Sequence, residues 1–176
     1  TMFGRSDTKE GWRTLPPHSG LIMDVRSNEV ILDGLHLPHS PCLVDHTLYF
    51  IQSGTGEVCA YDLSNKKLTT IAQFDTFLRG MQVVDDYIIV GSSLVRPETQ
   101  ISQNFRFDKE KSYGGIIVLD RHTGERIGGL DYLKKVKEIF AIKWVPNMLS
   151  PAILTEDDED HANCIFLEGD SGYWIR

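Results

Sequence analysis

His39, Arg79 and Glu138 are the side chains of this sequence best suited to chemistry. They stand in three short links between strand-like runs: Leu37-Pro38-His39-Ser40-Pro41, Leu78-Arg79-Gly80 and Lys137-Glu138-Ile139-Phe140. A histidine there can serve as base or ligand, because its ordinary pKa lies close to neutrality. An arginine can hold an anion through two parallel N–H bonds, and a glutamate can offer a hard oxygen to a metal. The binding candidates are therefore His39, Ser40, Arg79 and Glu138. No catalytic residue, cofactor or metal site is assigned. The same residues also have a structural use. His39 can donate to a neighbouring carbonyl and hold the link, and Arg79 can pair with Glu138 and lock adjacent units. Such a pair is favourable only when its remaining donors and acceptors are met.

A repeated hairpin supplies the framework. Leu21 to Leu32 (LIMDVRSNEVIL), Cys59 to Ile71 (CAYDLSNKKLTTI) and Ile116 to Ile127 (IIVLDRHTGERI) each run apolar into an Asp, turn over, and become a second extended run. Asp24, Asp62 and Asp120 are thus equivalent positions. Asp24 to Asp62 is close to the length of one four-stranded propeller blade, about 40–50 residues. Asp62 to Asp120 is one such unit plus an insertion of roughly 20 residues. Asn28 and Gly124 sit four positions after their Asp, where a tight turn needs positive φ. The second copy has Lys66 there with Asn65 beside it, so that turn is expected to shift by one residue.

Short β-branched or aromatic runs such as Thr47–Ile51 and Tyr87–Val90, bounded by turn residues, read as strands. The one exception is a short helical turn expected at Tyr132–Lys137. The fold class expected is all-β, a partial β-propeller of four-stranded antiparallel blades belonging to a six- or seven-bladed ring. Residues 1–36 make an incomplete first blade and 37–75 a second. Residues 78–130 make a third, interrupted by an insertion at 92–114, and 138–176 an incomplete fourth that begins with a strand at Ile139–Val145. Together they form a single domain. A propeller closes with about four to eight blades, so a chain starting at Thr1 without an initiator Met is expected to be a fragment. The rest of a longer chain or a second copy would supply the remaining blades.

In such a meander the Asp hairpins join third and fourth strands. The longer loops, at Arg5–Ser19, Ser53–Gly56 and Ser92–Gly114, fall on the opposite face together with the links that carry His39, Arg79 and Glu138. Loops on a rigid scaffold are where binding usually sits. Trp12, Phe105, Phe107 and Trp174 read as lid packing more than as a stacking platform.

Composition narrows the partners. The chain has 176 residues, 41% apolar content and a net charge of −7. Without a basic stripe, nucleic acid is not an expected partner. No run approaches the roughly 20 apolar residues of a membrane span, and no signal peptide is visible. Cys42, Cys59 and Cys164 share no metal-ligand spacing and read as reduced thiols of a cytoplasmic protein. The acidic run Glu156–Asp160 reads as a solvated loop.

Three tempting motifs fail. Gly169-Asp170-Ser171-Gly172 resembles a serine-protease nucleophile motif, but Tyr173-Trp174 follows it and it reads as a turn between strands. His122-Thr123-Gly124-Glu125 has no flanking Cys and His pairs for zinc. Gly54-Thr55-Gly56 could cradle a phosphate, yet it lacks the lysine and helix of a P-loop and reads better as a hairpin.

Several short motifs carry a resemblance. Ser6-Asp7 with Gly11-Trp12-Arg13, then Pro38-His39-Ser40-Pro41, Ser53-Gly54-Thr55-Gly56-Glu57, Arg79-Gly80 and Glu138-Ile139-Phe140 occur in the order seen in a family of conserved hypothetical bacterial proteins. That family is catalogued as a domain of unknown function and is sometimes found beside tetratricopeptide repeats. The chain resembles it from Thr1 to about Pro151, beginning in the family's middle. The resemblance implies a propeller-like fold and a missing N-terminal part, and brings no catalytic residue to transfer. Two functions stay open. One is a module binding a small polar or anionic molecule or a protein partner. The other is a metal-dependent hydrolase of the sugar-lactone hydrolase kind, which wants several oxygen ligands where these links offer Glu138, with His39 as an addition.

Overall fold

The computed structural model describes residues 1–95, 104–133 and 136–147, together with the strand backbone at 164–165 and 173–174. The chain divides into two units, Thr1–Trp144 and Val145–Arg176. Ten strands are described in the first: β1 (Gly20–Asp24), β2 (Glu29–Leu35), β3 (Pro38–Val44), β4 (Thr47–Gln52), β5 (Glu57–Asp62), β6 (Lys67–Gln73), β7 (Phe77–Val84), β8 (Tyr87–Ser93), β9 (Gly114–Asp120) and β10 (Arg126–Leu133). In the second unit, β11 (Cys164–Ile165) pairs antiparallel with β12 (Tyr173–Trp174). The fold is all-β. Every described strand pairing is antiparallel, and the described helical turns are short 3-10 turns at Gly11–Thr14 and Lys109–Lys111. No described helix is long and apolar enough to cross a membrane.

Sequential strands pair in order. β3-β4-β5-β6 form one four-stranded sheet and β7-β8-β9-β10 the next, while β1 and β2 form a smaller sheet that Met2 extends by a bridge to Leu21. The three Asp hairpins explain why the meanders turn where they do. Asp24, Asp62 and Asp120 each accept, at Oδ1, the amide of the residue two places on, at 2.8, 2.7 and 2.9 Å. This side-chain turn occupies backbone donors that the ladder has released. Four places after each Asp, the residue has positive φ: Asn28 at 60°, Lys66 at 58° and Gly124 at 74°. The expected one-residue shift at the second hairpin therefore does not occur. Asn65 is engaged otherwise, its Nδ2 donating to Asp62 Oδ2 and its Oδ1 accepting the amide of Lys67, so Lys66 takes the left-handed position.

Period-two alternation builds the core. Along β4, Tyr49 and Ile51 join one buried cluster with Val58, Leu78, Met81, Ile88, Val90, Ile117 and Leu119. Leu48 and Phe50, on the other face of the same strand, join a second cluster with Ile22, Leu35, Cys59 and Tyr61. The second sheet is thus apolar on both faces and packed between its neighbours, with β3 beside β7 and β1 beside β3. Cys59 lies fully buried in that packing, and desolvation pushes its thiol pKa up to about 12.

Three local expectations change. His39, Ser40 and Arg79 lie inside β3 and β7 and not in links between strands, because pairing begins earlier than the alternation indicates. Ile139–Val145 forms no strand. Tyr132, expected in a helical turn, continues β10. The acidic run at 156–160, the turn at 169–172 and part of the insertion, 96–103, lie outside the described residues.

Candidate functional site

Two β-bulges shape the site. In β3, pairing with β4 skips between His39 and Cys42, and Ser40 takes a φ of 51°. In β7, pairing with β8 skips between Leu78 and Met81, and Gly80 takes a φ of 75°. A bulge sets two residues against one and re-aims the side chains around it. Gly80 also permits a close approach, since a Cβ there would sit 2.8 Å from the Cα of Ala141. The segment after β10 can therefore run against the backbone of β7.

Two serines one sheet apart hold what comes next. Ser53, just past β4, is fully buried and donates to the carbonyl of Leu78 at 2.6 Å, which pins β7. Ser93, at the end of β8, accepts the amide of Ile139 at 3.0 Å, and the amide of Leu94 donates to Lys137 at 2.9 Å. Glu138 is fastened between those contacts. Its Oε1 lies 2.6 Å from Arg79 Nη1, and the Arg79 guanidinium also stacks on Phe140 with 3.8 Å from Cζ to the ring centroid.

His39 is held in one tautomer. Its Nδ1 lies 3.0 Å from the carbonyl of Leu37 and 2.7 Å from Ser53 Oγ. A carbonyl can only accept and Ser53 already donates to Leu78, so the ring proton resides on Nδ1 and Nε2 keeps its lone pair. Burial lowers the His39 pKa from 6.5 to about 4, with Arg79 adding to the effect, although the bond to Leu37 opposes it. The imidazole is neutral at pH 7. Ser53 and His39 are not a nucleophile–base pair, because the hydroxyl is sealed from solvent and points at a main-chain oxygen.

Aromatic rings surround this polar group. Ring centroids are 4.8 Å apart for Trp12 and Phe3, 4.9 Å for Phe3 and His39, 6.0 Å for His39 and Phe77, and 5.4 Å for Phe77 and Phe105. Phe105 arrives on the returning end of the insertion. Arg106 donates its amide to Gly54 at 2.9 Å, and Asp108 and Lys111 bond to Asp75 at 3.2 and 3.3 Å.

Together these residues line a cavity of about 250 Å³. Its walls are Phe3, Trp12, Leu37, Phe77, Leu94, Val95 and Phe105, and its polar groups are Arg13, His39, Arg79, Ser93 and Glu138. Three of the four residues expected from sequence, His39, Arg79 and Glu138, share it, whereas Ser40 supplies the bulge conformation and is not among the lining residues. Sequence reasoning missed Phe3, Arg13 and Phe77, and read Trp12 and Phe105 as packing alone. The signal available was slight: Phe77 stands two places before Arg79 and Trp12 next to Arg13, while His39 has no Phe, Trp or Tyr within three places. No group of three or more His, Cys, Asp or Glu able to hold a metal occurs among the described residues. Beside this cavity, His36 is buried with no hydrogen-bond partner at Nδ1 among the described residues, and desolvation together with the charge of His18 lowers its pKa to about 4.

A family model described as a domain of unknown function, DUF4915, matches residues 1–154. No curated protein matches the chain.

Proposed function

This chain belongs to the DUF4915 family, and we propose that it is a small-molecule-binding module whose ligand occupies the cavity lined by His39, Arg79 and Glu138. In this reading the successive sheets are blades of a propeller, with β3 and β7 as innermost strands of adjacent blades. The ligand then sits at the end where those strands begin and the elaborated loops meet. The observation that carries the reading is a convergence. Segments far apart in sequence bring a neutral imidazole, an ion pair and four aromatic rings to one cavity of about 250 Å³. Pockets for drug-sized ligands span roughly 300–1,000 Å³, so this one suits a smaller molecule. Apolar walls with a few convergent polar groups are the usual make-up of such sites.

The hydrolase reading wants several carboxylates around a metal. Among the described residues that line the cavity Glu138 is the one carboxylate, so the binding module is the reading we carry forward.

NMR titration of the protein with a panel of small anions, cations and neutral ring compounds tests it. A saturable response is expected from one chemical class, with resonances of His39 and Phe77 among those that move and with weaker binding in Phe77→Ala. A panel that leaves every cavity resonance in place overturns the reading.

A further inference from the structure

We propose that the cavity selects a flat, ring-bearing carboxylate monoanion whose ring carries an N–H or O–H donor. The ring lies against the aromatic walls, the donor meets His39 Nε2, and the carboxylate meets Arg13. This rests on the small-molecule reading above and names the class of ligand.

The walls come first. Trp12, Phe3, His39, Phe77 and Phe105 form a continuous run of rings whose neighbouring centroids are 4.8 to 6.0 Å apart. Aromatic faces and edges gain most from another ring, through offset or edge-on contact. A saturated ligand of equal volume would forgo that gain.

The donor requirement follows from His39. Nδ1 is occupied by the Leu37 carbonyl and Ser53 Oγ, so Nε2 is the ring nitrogen left for a ligand. It is an acceptor, and among the described residues nothing donates to it. A bound molecule that turned a carbonyl or ether oxygen toward it would set two lone pairs against each other, so the complementary atom carries a proton.

Charge sets the last requirement. Among the described lining residues Arg13 and Arg79 are cationic and Glu138 is anionic, with the imidazole neutral. Arg79 is held at 2.6 Å by Glu138 and stacked on Phe140, which makes its charge largely satisfied in place. Arg13 is held differently. It lies over Trp12 at 4.7 Å and its ion pair is with exposed Glu10 at 3.3 Å. Exposed ion pairs contribute little, so the Arg13 guanidinium can turn from Glu10 to a carboxylate seated beside Trp12. A cavity of about 250 Å³ suits one or two fused rings and not a nucleoside polyphosphate.

Calorimetry with four probes tests this: indole-3-carboxylate, its 1-methyl derivative, neutral indole and cyclohexanecarboxylate. Indole-3-carboxylate is expected to bind best, with at least a tenfold loss on N-methylation and a similar loss for the saturated acid. Arg13→Gln, at an exposed position that should leave the fold intact, is expected to weaken indole-3-carboxylate about tenfold and leave neutral indole unchanged. Equal affinity for the N–H and N-methyl acids, or no effect of Arg13→Gln on the carboxylate, overturns the proposal. If a cation or a saturated compound from the wider panel binds best in this cavity, the ligand class is wrong while the binding-module reading stands. If no compound of any class binds, both fail.

Discussion

Arg79 Nη1 and Glu138 Oε1 meet at 2.6 Å, and each side chain is only 26% exposed. Their segments are separated by β8, the insertion, β9 and β10, so this contact joins the start of β7 to the chain that follows β10. An exposed pair would contribute at most about 1 kcal/mol. Breaking a fully buried pair costs about 3–5 kcal/mol, because it strands a charge.

Being part-buried, the pair should fall between those limits. Arg79→Ala is expected to destabilise the fold by about 1–2 kcal/mol. A double-mutant cycle with Glu138→Gln, measured by urea denaturation, should return a favourable coupling on the order of 1 kcal/mol. A coupling indistinguishable from zero would mean that the pair does not lock the fold.

The second and third Asp hairpins make a matched experiment in backbone strain. Lys66 holds a left-handed φ of 58° that Gly124 holds at 74° in the equivalent turn. A residue with a Cβ is strained there by roughly 1–2 kcal/mol, part of which glycine gives back in unfolded-state entropy. Lys66→Gly should therefore raise stability by about 0.5–1 kcal/mol. Gly124→Ala should lower it by at least about 1 kcal/mol, since the new Cβ would also collide with the carbonyl oxygen of Ile71. Thermal melts of the two variants should move in opposite directions.

Acid should weaken the fold through its buried histidines. His36 and His39 have folded pKa values near 4 against an ordinary 6.5, with desolvation the largest cause in both. Between those values the unfolded chain binds protons that the folded chain refuses, so stability is fully present above pH 6.5 and declines as pH falls toward 4. For His36 the loss at pH 5 should be roughly 2 kcal/mol, from 1.36 kcal/mol per pH unit. His36→Phe, which replaces a ring whose Nδ1 has no partner among the described residues, should flatten the slope of denaturation midpoint against pH in that window. An unchanged slope would place the proton uptake elsewhere.

The strand pattern and the turns were readable from the chain alone because they depend on neighbours in sequence. Alternation along Leu48-Tyr49-Phe50-Ile51 sorts side chains to two faces whatever packs against them. An Asp followed two places later by an amide can close its own turn. Even there the local reading failed at Lys66. Asn65 is the better left-handed residue in isolation, but β5 pairs Asp62 with Lys67, and that register sends positive φ to Lys66.

Tertiary structure alone decided the rest of the site. His39 and Arg79 read as link residues, yet strand pairing runs past them and bulges re-aim what surrounds them. The tautomer of His39 follows from a carbonyl at Leu37 and a hydroxyl that Leu78, on the next sheet, holds in place. Phe3, Trp12, Phe77 and Phe105 come from separate segments, and none announces a wall by its own neighbours. Their meeting depends on which sheets stack and on the insertion being tied back at Gly54 and Asp75. Hairpins are local free-energy choices, whereas a cavity is what remains when distant surfaces pack, so periodicity could place its polar residues in the chain but could not show what encloses them.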